Sequence, residues 1–183
     1  MIEFYGLGEP CASAGCSRSG RRVPYGGRVA HDIPLDLEAL SKGVCASIPV
    51  MGAMGLRIAE LRPGFAAAEI PLEPNINHIG TMYAGSLFTV AEVLGGVIGL
   101  VSFDLEGFYP VVRGVDIAFR RTASSAVRAE TSLTVEEIDR IQAEAAAHGK
   151  SQFLLEATLT DQAGEVVATT RGTYQMRKFT APA

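Results

Sequence analysis

The sequence predicts an α+β domain in which one antiparallel sheet wraps a long central helix. Three observations carry that prediction. Residues 84–101 form an apolar run of helical length, while several shorter segments alternate at period two or are rich in strand-forming side chains. Turn signals such as "RPG" and "DQAG" join those segments too closely for the crossovers that parallel strands need. With 183 residues and 48% hydrophobic side chains, the chain has enough apolar material for one core.

Residues 1–32 are rich in Gly, Ser, Pro and Arg and have no apolar period, so they read as a flexible arm, with the domain (33–183) starting near Ile33. Asp36 can cap a first helix in which Leu37, Leu40, Val44 and Ile48 recur at helical spacing, and Pro49 with Gly52 is expected to end it. "GLRIAEL" and "FAAAEIPL" on either side of "RPG" read as a hairpin. Beyond the central helix, Val111, Arg113, Val115, Ile117 and Phe119 alternate along one strand. Val127, Ala129, Thr131, Leu133 and Val135 do so along the next. "EEIDRIQAEAAAHG" is a charged, Ala-rich helix stopped by Gly149, inserted before a last pair of strands, "SQFLLEATL" and "EVVATTRGTYQM".

Composition excludes several classes of partner. A net charge of −4, with no Lys/Arg cluster along a helix face, argues against nucleic acid. Cys11, Cys16 and Cys45 are odd in number and lack metal-ligand spacing, so ordinary thiols in a reducing, cytoplasmic compartment are expected, with no metal and no cofactor. "ASAGC" at 12–16 has neither a basic segment nor an uninterrupted apolar segment ahead of it, so no secretion signal is expected. A membrane span over 84–101 is disfavoured by Glu92 at its centre, which costs about 2.5 to 3.5 kcal/mol on insertion scales.

Glu92 is the only formally charged side chain between Glu73 and Asp104. Turning about 100° per residue, its helix face carries Gly85, Phe88, Thr89, Gly95, Gly96 and Gly99, whereas Leu87, Val90, Leu94, Val97, Ile98 and Val101 form the opposite, sheet-facing stripe. Gly95, Gly96 and Gly99 together give up about 2.5 to 3 kcal/mol of helix preference relative to alanine, so something approaches that face closely. Either the face packs on another helix with Glu92 satisfied locally, or it lines a ligand channel with Glu92 at its end. Just ahead of the helix, "NINHIGT" supplies amides, an imidazole and a hydroxyl, and the first helical N–H groups, at Ala84 and Gly85, are free to meet a developing oxyanion.

"NHIGTMYAGSLFTVAE" resembles the signature of hotdog-fold acyl-CoA thioesterases of the phenylacetyl-CoA thioesterase type, in which an Asn and a Gly-Thr precede "HGG", followed by a Phe and an acidic residue on the central helix. "FRRTA" is similar to that family's Phe-x-Arg-Pro-Ala strand end, and the resemblance covers about Leu56 to Met176. It implies a hotdog fold, a homo-oligomer (a dimer or a dimer of dimers) and a small-molecule substrate of the acyl-CoA type. It also implies an acidic catalytic residue at Glu92, a polarising amide at Asn77 and an oxyanion-binding N–H at Ala84 or Gly85. Here "HGG" is "YAG", with Tyr83 and Ala84 at the first two positions. His78, Tyr83 and Thr89 are candidate substrate contacts, and Arg121 is a candidate for a CoA phosphate, as are Arg113 and Arg120. The alternatives are a hotdog module that binds acyl-CoA or a lipid without turnover, and a hydratase, which the lack of a His on the central helix disfavours.

Overall fold

The computed structural model describes residues 35–179, and the arm expected over 1–32, with the domain start near Ile33, lies outside them. Asp36 caps α1 (Leu37–Ser47) as expected, its carboxylate accepting from the Ala39 N–H at 2.9 Å. Pro49 does end α1, but it also opens a second short helix, α2 (Pro49–Ala53), because proline at the first helical position has no N–H to lose. The hairpin follows as β1 (Arg57–Arg62) and β2 (Phe65–Ile70), turning at Gly64 with φ +75°.

The long central helix expected from the sequence is present over Ala84–Ser102, with one irregular turn at Val93, whose backbone angles remain helical (φ −57°, ψ −26°). It runs as α3 (Ala84–Glu92) and α4 (Leu94–Ser102), with Val93 between them. Then come β3 (Phe108–Phe119), β4 (Val127–Ser132), α5 (Val135–His148), β5 (Lys150–Asp161) and β6 (Val166–Lys178). Val135, expected at the end of β4, instead starts α5 and is exposed. The period-two run passed over a capping box in which Thr134 and Glu137 bond each other's backbone N–H groups. Gly149 closes α5 in the left-handed conformation (φ +71°), as the sequence predicted.

All strand pairs are antiparallel, in the order β1-β2-β4-β5-β6-β3. The sheet wraps α3 and α4, which lie against its inner face. Of the stripe read from the sequence, Leu87, Val90, Leu94, Val97 and Ile98 are buried there and Val101 is half-buried. Much of the facing sheet surface is small: Ala66, Ala68, Ala129, Ala157 and Ala168 belong to the same core. On the outer face, Arg128 spans Glu60 at 3.0 Å and Glu69 at 3.2 Å, above the buried Ala67. Residues 84–102 are long and apolar enough to cross a membrane, yet their apolar stripe is the core of the sheet.

Because Ile98 is fully buried between helix and sheet, Ile98→Ala should lower unfolding free energy by about 2 to 5 kcal/mol in a denaturant titration. Val135→Ala, on the exposed side chain once read as strand, should stay within about 0.5 kcal/mol of the parent.

Candidate active site

The loop before α3 is tied down from both ends. Asn75 is buried; its amide donates to the Met54 and Pro71 carbonyls at 2.8 and 2.9 Å and accepts the Ser86 hydroxyl at 2.9 Å. Its backbone carbonyl accepts the Tyr83 N–H at 2.7 Å, so this one residue fixes where α3 begins. The sequence offered Asn75 only as one of the amides of "NINHIGT". Its burial depends on Met54 and Ser86, which a local pattern does not reveal.

Asn77 organises the tip of the loop. Its Oδ1 accepts from the Ile79 and Thr81 N–H groups at 3.0 and 3.1 Å, and its Nδ2 donates to Thr81 Oγ1 at 2.9 Å and to the Met82 carbonyl at 3.4 Å. The amide is thus engaged on every side, and Asn77 builds the loop at the position where the resemblance implied a polarising amide. Met82 in turn donates its N–H to the Ala123 carbonyl at 2.8 Å, which brings "FRRTA" beside the helix entrance.

α3 starts without a side-chain cap. The Ser86 and Leu87 N–H groups bond the Tyr83 carbonyl at 3.0 and 3.2 Å, while those of Ala84 and Gly85 have no acceptor among the described residues. Two free donors at a helix N-terminus suit a partial negative charge. The exposed Tyr83 ring folds back over Gly85, so that a Cβ there would displace the ring. Ile76, Ile79, Tyr83 and Phe88 are exposed around this entrance and make it apolar. His78 is exposed in the same loop, and Thr89 donates its hydroxyl back to the Gly85 carbonyl at 2.9 Å. Arg121 is exposed and paired with Glu165 at 2.9 Å.

Glu92 ends α3, half-buried, with neither an ion pair nor a side-chain hydrogen bond among the described residues. Loss of water raises its carboxyl pKa above the usual carboxylate range, with no cation to pull it back. The glycines beside it divide. Gly95 is buried because a methyl group there would fall inside the Tyr174 ring, whereas Gly96 is exposed and faces open space. Glu92 and the free N–H groups lie at opposite ends of the nine residues of α3. Eight steps along the helix separate Ala84 from Glu92 by about 12 Å.

Residues 37–176 match the family model described as a domain of unknown function, DUF4442. The chain belongs to this DUF4442 family. Among solved structures, it is similar to the Pseudomonas aeruginosa protein PA5026, described as of unknown function and a probable thioesterase. Identity is 41% over 80% of this chain and 99% of that one, with a TM-score of 0.74. The thioesterase HI1161 of Haemophilus influenzae shares 16% identity over 80% of this chain and 93% of that one, at TM-score 0.62. A mutant of thioesterase PA1618 from P. aeruginosa shares 18% over 81% and 98%, at TM-score 0.63. These last two show the fold alone. No curated protein is significantly similar in sequence. The fold is the hotdog fold, as the resemblance implied, and this DUF4442 domain falls among hotdog proteins of the thioesterase type.

An unpaired, desolvated carboxylate destabilises the domain that carries it, and the sign of the effect with pH is fixed. With the folded pKa raised above the unfolded value, the folded state holds its proton more tightly, so this contribution is favourable at low pH and is lost as pH rises through the folded pKa. Glu92→Gln should therefore unfold at higher denaturant than the parent at pH 8, and the difference should shrink as the pH approaches 4. A parent chain at least as stable as Glu92→Gln at pH 8 would mean that Glu92 has a partner in solution.

Proposed function

We propose that this DUF4442 protein hydrolyses a thioester, of acyl-CoA or a related carrier, with Glu92 as the reacting carboxylate. The observation that carries the proposal is Glu92 itself: a half-buried acid on the central helix of a hotdog fold, without a partner among the described residues, and with two N–H groups at the start of that helix that have no acceptor among them. Thioester hydrolysis needs a base or nucleophile at the carbonyl carbon and donors at the oxygen that becomes negative. Glu92 either takes a proton from the attacking water or attacks the carbonyl carbon directly. The Ala84 and Gly85 N–H groups receive the oxyanion. Collapse of the tetrahedral intermediate breaks the C–S bond. In the general-base route the leaving thiolate takes up the proton that Glu92 removed from the water. In the direct route it takes one from solvent, while a water then hydrolyses the Glu92 acyl anhydride to release the acid and restore the carboxylate. A raised pKa strengthens Glu92 as a base so long as it is ionised at the working pH, so the rate should fall on the acid side at a higher pH than for an ordinary carboxylate.

Asn77 has a supporting task in this account, holding the loop that presents α3. Tyr83 and His78 border the entrance, and Thr89 lies along the acyl path. Arg121 meets a CoA phosphate by exchanging its Glu165 partner.

The distance along α3 makes the site a shared one. A thioester carbon beside Glu92 does not place its oxygen about 12 Å away at Ala84 of the same chain, so the donors come from a second copy with its helix antiparallel alongside. In support, β3 is an edge strand of the sheet among the described residues and carries Val112 and Phe119 exposed. A homodimer, alone or doubled, is the proposed assembly, in the cytoplasm.

The test is a panel of short, long and aromatic acyl-CoA thioesters offered to the parent and to Glu92→Gln. The expected result is turnover of at least one class and a loss of about a hundredfold or more in the folded variant. Thioester binding without turnover by the parent would favour a binding module, and full activity in Glu92→Gln would remove Glu92 from the chemistry.

A further inference from the structure

The hydrogen-bond ladder of the central helix is interrupted beside Glu92, while Val93 keeps helical backbone angles (φ −57°, ψ −26°). In an uninterrupted ladder the Glu92 carbonyl would accept from the Gly96 N–H, four residues on. Here the Gly96 N–H goes to the Val93 carbonyl at 3.1 Å, as does that of Val97 at 3.0 Å, and the Glu92 carbonyl accepts the Tyr174 hydroxyl at 3.1 Å. Tyr174 comes from β6, across the core, and is 4% exposed. Two glycines admit it: a methyl group at Gly95 would lie within its ring, and one at Gly172 would press on the ring and the hydroxyl. Phe153 stacks on the ring with centroids 5.8 Å apart, and Phe103 meets Phe153 edge-on at 5.4 Å. The ring therefore has little room to swing, and its hydroxyl has one place to go. Burial, and then the charge of Glu92, push the phenol's pKa up, so it remains a donor throughout the working pH range.

We propose that Tyr174 is the positioning residue for Glu92: by taking the Glu92 carbonyl out of the helical ladder, its hydroxyl loosens the turn at Val93 and sets the direction in which the Glu92 carboxylate leaves the core. The inference rests on Glu92 being the reacting group. It also explains two glycines that the sequence had assigned differently or not at all. Gly95 makes room for an internal phenol and lines no groove, and Gly172 does the same from the sheet. A tyrosine needed only to fill the core would use its ring, whereas here the hydroxyl replaces a backbone donor.

Tyr174→Phe separates the two tasks, because it keeps the ring and removes the hydroxyl. With the best thioester of the panel, kcat should fall about tenfold or more while KM stays within about twofold. Adding Tyr174→Phe to Glu92→Gln should cost nothing further, since a residue acting through Glu92 then has nothing to position. Parental kcat in Tyr174→Phe, additive losses in the double variant, or a Tyr174→Phe chain that no longer folds would each overturn the proposal. A crystal structure of Tyr174→Phe reads it without reference to activity: the Gly96 N–H should rejoin the Glu92 carbonyl in a ladder continuous through Val93. An interruption that persists without the hydroxyl would overturn the proposal whatever the enzyme does. An unaffected Glu92→Gln single variant would instead remove Glu92 from the chemistry and leave the interrupted ladder to be judged from that structure.

Discussion

The closeness of the central helix to its sheet is the constraint on which the rest of this structure depends. Alanines 66, 68, 129, 157 and 168 line the core where larger side chains would hold the helix away, and the aliphatic stripe of α3 and α4 fills the remaining space. Bringing a helix that near leaves no water for its backbone, so every break in its ladder needs a donor from the protein. At Val93 that donor is a phenol, admitted by two glycines. The same closeness leaves Glu92 half-buried, with no ion pair among the described residues and its pKa raised by loss of water.

Electrostatics then separates the molecule into two regimes. On the outer face of the sheet, Arg128 lies among Glu60, Glu69 and Glu130, and opposite charges satisfy one another in solvent, where each pair contributes little. On the helix there is one charge and no partner. A fold that places its ion pairs outside and an isolated acid inside sacrifices stability at the inner site, which is where chemistry benefits from a carboxylate with a raised pKa. The free N–H groups of Ala84 and Gly85 are the complementary feature, with the partial positive charge left unanswered at the far end of the same short helix.

What the sequence made legible was local. The Asp36 cap, the Gly149 stop, the two faces of the central helix and the isolation of Glu92 each depend on residues within a turn or two of one another. Pro49 ends α1 as expected but hid a second short helix, because proline opens a helix as readily as it ends one, and Val135 misled because a period-two run continued past a Thr134–Glu137 capping box that was itself visible. The interruption of the ladder was not legible, since its cause, Tyr174, stands 82 residues away in sequence and acts through a single hydroxyl. Nor was the task of Asn77: an amide in a loop reads the same whether it faces a ligand or its own backbone, and only the four hydrogen bonds tell them apart.

The central claim is that Glu92 of one subunit works with the helix N-terminus of another, and complementation tests it most directly. Ala84→Pro removes one of the two free donors while suiting the first helical position, and Tyr83 before it already has a backbone (φ −65°, ψ 134°) compatible with a following proline. Chains carrying Ala84→Pro and chains carrying Glu92→Gln, each of low activity alone, are mixed in equal amounts and allowed to exchange, with mixed dimers confirmed by mass. Half of the dimers are then mixed and each holds one intact site, so the account predicts about a quarter of parental activity. No recovery in a confirmed mixture would place both halves of the site in a single chain and contradict it.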